Sequence, residues 1–280
     1  MHHLVLHNGR IVPATDKLLS PRQVGLLSGW GVFTTLRIYD GVPFALERHW
    51  QRMQRDAAML HVPLEHDLEA VRRQIGELVR ANRAENSVVR MCVVRNTGGF
   101  WKAPGITTSA DLIVFTGGLK AWGPAVRLTV APEARHAASR FAGTKILSWA
   151  LNLTLVEDAQ NAGFDEVILL NERAEVTECT SANIFAVIGG QTCTPPLSSG
   201  CLPGVTRGVL LEEVGGIEER PLRLDDLYGA EEVFITSTTR ELLAVAEIDG
   251  RPIPTGGKTR GRLQQAFTEC VDRYTAGSRR

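Results

Sequence analysis

The chain has 280 residues, 44% of them hydrophobic and 22% charged, enough to bury a sizeable core in one large domain or two smaller ones. Its 31 lysines and arginines balance 31 aspartates and glutamates, so there is no electrostatic footprint for nucleic acid or an anionic membrane, and small molecules are the expected partners. Five scattered cysteines without a C-x-x-C pair argue against a disulfide framework or a metal site. The N-terminus has no targeting pattern and no apolar run nears membrane-spanning length, so a cytoplasmic protein is expected.

Residues 3 to 12 alternate around Asn8-Gly9 and predict a short hairpin. The next strand, residues 32 to 40, puts Phe33, Thr35, Arg37 and Tyr39 on one face and Thr34, Leu36 and Ile38 on the other. That polar stripe is a candidate pocket wall, with a solvated face as the alternative. Two amphipathic helices follow. The first is striped by Leu46, Trp50, Met53, Ala57 and Leu60, and the second by Leu68, Val71, Ile75, Leu78 and Val79, with Asp67 as its N-cap.

Strands S-V-V-R-M-C-V-V-R and D-L-I-V-F-T flank a glycine-containing loop, N-T-G-G-F-W-K-A-P-G. The glycine-rich segment 116 to 124 is the predicted domain boundary, giving a small N-terminal α+β domain over 1–118, a linker over 119–124 and a larger C-terminal α+β domain over 125–280. The second half opens with strand V-R-L-T-V, followed by a helix from about Ala150 to Ala162 that Gly163 stops. Strands E-V-I-L-L-N, E-V-T-E, A-N-I-F-A-V, V-F-I-T-S-T and L-A-V-A-E-I come next, and then a closing helix from Thr259 to Tyr274. Strands joined by short turns, with helices to the side, predict an α+β architecture.

Three landmarks in the second half suggest chemistry. Lys145 stands in F-A-G-T-K-I-L-S-W, where Phe141, Ile146, Leu147 and Trp149 offer an apolar neighbourhood that favours a neutral, nucleophilic amine. Glu178 ends a strand in T-E-C-T, and L-P-G-V-T-R sets a glycine turn before a helix starting near Val205. Taken singly, these read as an exposed lysine, a surface carboxylate and an ordinary helix start. Together they supply an amine for a Schiff base, an anion for a pyridine nitrogen and a cradle for a phosphate, which are the needs of pyridoxal phosphate. Arg52, Thr206 and Thr238 are available to complete the phosphate contacts.

The ordered set of Lys145, G-F-D-E-V-I-L-L-N, V-T-E-C-T-S-A-N-I-F, C-L-P-G-V-T-R and F-I-T-S-T-T-R-E resembles the fold type IV pyridoxal-phosphate enzymes, over nearly the whole chain. That family includes branched-chain aminotransferases, D-amino acid aminotransferases and aminodeoxychorismate lyases. The resemblance implies that Lys145 forms the Schiff base and Glu178 meets the ring nitrogen. It further implies that Arg52, Val205, Thr206 and Thr238 hold the phosphate, and that the protein is a two-domain homodimer.

The subtype is less sharply marked. T-G-G-F-W-K replaces the arginine and histidine of the D-amino acid enzymes, and F-T-T-L-R replaces the F-E-G-x-R typical of branched-chain enzymes. Trp149 stands where the latter carry a tyrosine. F-T-T-x-R is similar to the lyases, in which the second threonine, here Thr35, would assist proton transfer. Arg37, Arg90 and Arg95, with Thr239, offer contacts for acidic substrates. The expected activity is transfer of an amino group from an L-amino acid of the branched-chain type to a 2-oxo acid. The alternative is an aminodeoxychorismate lyase releasing pyruvate and 4-aminobenzoate, and a remoter one is a non-catalytic cofactor-binding homologue using the G-G-F-W loop for a partner.

Overall fold

The structure, a computed structural model, describes residues 1–100 and 105–278. Trp101, within the G-G-F-W loop considered above as a partner surface, lies outside the described residues. The chain divides into two compact units. Unit 1 is Met1–Lys120, Lys145–Trp149 and Arg273–Arg280, and unit 2 is Ala121–Thr144 and Ala150–Asp272.

Unit 1 begins with the expected hairpin, β1 (Leu4–His7) and β2 (Arg10–Pro13), turned by Asn8 and Gly9 at positive φ. A short helix α1 (Val24–Ser28) leads to β3 (Gly31–Tyr39) and β4 (Val42–Pro43), then come helices α2 (Leu46–Met59) and α3 (Leu68–Asn82), and strands β5 (Ser87–Arg95) and β6 (Ala110–Gly117). Among the described residues, these six strands form one sheet in the order β2-β1-β6-β5-β3-β4. Asp67 caps α3 as expected, accepting a hydrogen bond from Ala70 N–H at 2.8 Å.

The helix stripes pack on one face of this sheet. Trp50, Met53, Ala57, Val71, Ile75 and Leu78 join Val32, Leu36 and Ile38 of β3 and Val89, Met91 and Val93 of β5 in a single apolar cluster. Strand alternation then turns Phe33, Thr35, Arg37 and Arg90 to the other face. Ile75 is fully buried at the centre of the cluster, so Ile75→Ala should destabilise unit 1 by about 2–5 kcal/mol. Urea unfolding measures this, and a change below about 1 kcal/mol would show that the site collapses around the lost methyls.

Unit 2 contains β7 (Ala125–Ala131), α4 (Ala150–Asn161), β8 (Glu166–Leu170), β9 (Val176–Cys179), β10 (Asn183–Ile188), β11 (Gln191–Thr194), α5 (Val205–Val209), β12 (Ile217–Glu219), α6 (Leu224–Tyr228), β13 (Glu232–Ser237), β14 (Glu241–Ile248) and β15 (Arg251–Pro252). Helix α7 (Thr259–Ser278) closes the described chain. The strand order is β12-β11-β10-β13-β14-β7-β8-β9, with β15 beside β14. Most pairs are antiparallel, in keeping with an α+β fold. The exceptions are β11 with β12, β14 with β7, and β7 with β8, the last joined by the α4 crossover. The helix expected at Val205 runs regularly only to Val209 and then widens into a π turn over Leu210–Val214. No helix among the described residues is long and apolar enough to cross a membrane.

Candidate active site

In unit 1 the Lys145 segment lies along the start of β3. Val32 and Ile146 form an antiparallel bridge, Phe33 N–H donates to the Lys145 carbonyl at 3.0 Å, and Leu147 N–H donates to the Gly31 carbonyl at 2.9 Å. The N–H of Lys145 itself donates to Oδ2 of buried Asp56 at 2.9 Å. This close approach needs glycine at 31, because a Cβ there would collide with the Val93 carbonyl and the Leu147 side chain.

With its backbone anchored, Lys145 places Nζ 4.6 Å from the ring centroid of Phe33 and 5.8 Å from that of Trp149, and the two rings meet edge to face at 5.7 Å. Aromatic faces attract a cationic head and cover its stem. The apolar neighbourhood therefore forms, but Phe33 supplies much of it, and Phe141 is exposed.

Arg90 lies over the same Phe33 ring, its Cζ 4.9 Å from the centroid, and its Nε donates to Thr35 Oγ1 at 3.1 Å across the β3–β5 pair. It takes part in no ion pair among the described residues. Arg37 stacks on Tyr39 at 4.7 Å, two residues along from Thr35 on the same side of β3. Arg95 behaves differently. It lies over Trp30 at 4.1 Å and donates to the carbonyls of Thr97 and His61 at 2.8 and 2.6 Å, so it braces the loop after β5.

Arg52 reaches β3 from the helix side and donates through Nη2 to Thr34 Oγ1 at 2.8 Å; the same hydroxyl lies 2.8 Å from Nδ1 of His49. Burial, with the charges of Arg52 and Lys145, holds the His49 pKa well below its usual value, so the imidazole is neutral. His49 and Asp56 carry no signal in the sequence, where nothing about their spacing distinguishes them from other residues of an amphipathic helix, whereas Phe33 lies on the strand face expected to line a pocket.

In unit 2, Glu178 is buried at the end of β9. Its Oε1 accepts from Arg135 Nε at 3.3 Å and its Oε2 from Leu202 N–H at 3.0 Å. Neighbouring Cys179 and Cys201 are buried, which pushes the first thiol well above its usual pKa and the second to about 11, so neither is a thiolate at neutral pH. Gly204 is the N-cap of α5 and brings no side-chain cap to the first-turn N–H groups, with Val205 and Thr206 as the first two helical residues. A Cβ on Gly204 would collide with Asn183 Oδ1, whose amide donates to the Leu202 carbonyl at 2.8 Å.

Thr238 and Thr239 occupy the tight turn from Ser237 to Arg240, closed by Arg240 N–H donating to the Ser237 carbonyl at 3.2 Å. Trp122 Nε1–H donates to the Thr239 carbonyl at 3.1 Å. Within each unit the donor set suits the cofactor named above. Unit 1 holds an anchored amine and a guanidinium. Unit 2 holds a buried, oriented carboxylate, a helix start without a side-chain cap and a hydroxyl-bearing turn.

The chain belongs to the amino-transferase class IV family, whose model matches residues 31–248. A Methanocaldococcus jannaschii protein with a provisional branched-chain-amino-acid aminotransferase name is 33% identical over 95% of this chain and 96% of its own. The D-alanine aminotransferase of Bacillus licheniformis is 30% identical over 97% of this chain and 98% of its own. Among solved structures, the branched-chain amino acid aminotransferase of Escherichia coli superposes with a TM-score of 0.87 at 26% identity, covering 97% of this chain and 95% of its own. The protein is thus an enzyme of the class IV aminotransferase family, and that membership implies pyridoxal phosphate as its cofactor.

Proposed function

We propose that this enzyme transfers the amino group of an L-amino acid of the branched-chain type to a 2-oxo acid, using pyridoxal phosphate. The observation that carries the reading is the pairing of Lys145 and Arg90 on one ring, Phe33: an anchored amine beside a cation that is in no ion pair among the described residues. Amino acids and 2-oxo acids both carry a carboxylate, and a guanidinium binds it in a fixed orientation.

When bound, pyridoxal phosphate supplies an electron-withdrawing ring that accepts the electron pair left when a Cα–H bond breaks. In this reading Lys145 would be the nucleophile that holds the cofactor, and its amine would move the proton at the substrate's Cα. Glu178, oriented by Arg135 and Leu202 N–H, would keep the pyridine nitrogen protonated. Arg52 of unit 1 and, from unit 2, the N–H groups of Val205 and Thr206 with Thr238 are the groups that would hold the phosphate, as the sequence resemblance implies. Arg90, Arg37 and Thr239 contact substrate, while Arg95 acts through the loop it braces. The working form in this reading is a homodimer, as the sequence resemblance implies, in a reducing cytoplasm, which the scattered cysteines fit.

One observation favours the aminodeoxychorismate lyase reading. The Thr35 hydroxyl is held by Arg90 on the face that carries Phe33 and Lys145, a position from which it could pass a proton. The deciding assay supplies 2-oxoglutarate with a panel of L-amino acids, beside aminodeoxychorismate alone. Glutamate formation is the expected result. Pyruvate and aminobenzoate formed without an acceptor, with no glutamate from the panel, would overturn the transaminase reading. Thr35→Ala sharpens the comparison, since a proton-transfer role predicts about a hundredfold loss of rate and a packing role only about threefold.

A further inference from the structure

Unit 2 contains a continuous polar chain whose centre, Glu166, has no part in the roles assigned above. Glu166 opens β8 and is fully buried. A carboxylate in that position costs several kcal/mol in desolvation unless its oxygens are satisfied, as roughly estimated for buried ions. Here they are. Oε1 accepts from Thr180 Oγ1 and from Val167 N–H, and Oε2 accepts from Ser181 Oγ at 2.6 Å and from Arg240 Nη2 at 3.0 Å.

Two segments from distant parts of the sequence meet on this carboxylate. Thr180 and Ser181 directly follow the Glu178–Cys179 strand end. From there the chain of contacts runs on, since Asn152 Nδ2 donates to the Thr180 carbonyl at 2.5 Å, Arg135 Nη2 donates to Asn152 Oδ1 at 3.3 Å, and Arg135 Nε donates to Glu178. On the other side, Arg240 closes the turn that presents Thr238. Its Nη1 donates to Ser181 Oγ at 2.9 Å, and its guanidinium lies over Trp122 at 4.3 Å, the same residue that donates to Thr239. One carboxylate therefore accepts hydrogen bonds both from the segment that follows Glu178 and from the 237–240 turn.

We propose that Glu166 is a positioning residue for the cofactor: through Thr180, Ser181 and Arg240 it sets the spacing between Glu178 and the Thr238 turn. This rests on the reading that Glu178 meets the ring nitrogen and Thr238 the phosphate. A rigid ligand held at both ends is bound tightly only if its two contacts are preorganised at the right separation. Glu166→Gln keeps the length of the side chain but replaces one acceptor oxygen by a donor, which cannot serve Arg240 and the Ser181 hydroxyl as the carboxylate does.

The test follows loss of bound cofactor from the full-length holoenzyme during dialysis against inorganic phosphate, read by its visible absorbance, with borohydride trapping at Lys145 as a parallel arm. Glu166→Gln should release cofactor about tenfold faster than the unaltered protein, a loss in keeping with that seen for outer-shell partners of metal sites. Glu166→Asp, which keeps the charge but shortens the reach, should do the same. Thr180→Val and Ser181→Ala, which each remove one donor, give milder versions if Glu166→Gln does not fold. They should release cofactor about threefold faster, and their effects should not add in the double variant. A role confined to stability would lower the melting temperature and leave cofactor release within twofold of the unaltered protein, and that result overturns the proposal. Failure of borohydride to trap cofactor on Lys145 in the unaltered protein would instead overturn the underlying functional reading.

Discussion

Lys145→Ala protein is expected to show no borohydride-reducible linkage to the cofactor and to transaminate at a rate lower by roughly four orders of magnitude, since in the proposed function one side chain serves both as nucleophile and as proton carrier. The structure makes this a test of the amine and not of the fold. The anchors of this segment are backbone groups: the Lys145 N–H on Asp56, the Lys145 carbonyl on Phe33 N–H, and Leu147 N–H on Gly31. All three survive truncation of the side chain. Melting temperature should therefore change little while activity collapses. A Lys145→Ala protein that still traps cofactor covalently after borohydride would place the reactive amine elsewhere.

Glu178→Gln should retain the Lys145 linkage and the bound cofactor, yet turn over two to three orders of magnitude more slowly, as roughly expected when one acid–base group is removed. A glutamine fills the same space, and its carbonyl oxygen can still accept from Arg135 or from Leu202 N–H. It has no negative charge to keep a pyridine nitrogen protonated, so the loss falls on the chemical step and not on cofactor binding. Single-turnover kinetics with an amino donor in excess isolates that step. A rate within about threefold of the unaltered enzyme would remove Glu178 from the ring-nitrogen role.

The stripes of α2 and α3, the Asn8–Gly9 hairpin, the Asp67 cap and the alternation of β3 were legible in the sequence because each depends on a local repeat or on a turn chemistry confined to a few residues. The order of Lys145, Glu178 and L-P-G-V-T-R along the chain pointed to the family that the match over residues 31–248 shows, while the roles of those residues belong to the proposed function. Tertiary structure alone decided which cations stand near the amine. Arg37, Arg90 and Arg95 all lie on β3 or β5 and look equivalent in sequence, yet Arg90 shares Phe33 with Lys145 while Arg95 is occupied by the carbonyls of His61 and Thr97.

It also decided what orients each landmark. Asp56 beneath Lys145, Arg135 beside Glu178, and the convergence of Thr180, Ser181 and Arg240 on Glu166 join residues far apart in the sequence. A buried carboxylate and an exposed one are written with the same letter, and only the folded chain, by removing water and bringing donors to both oxygens, makes them different groups.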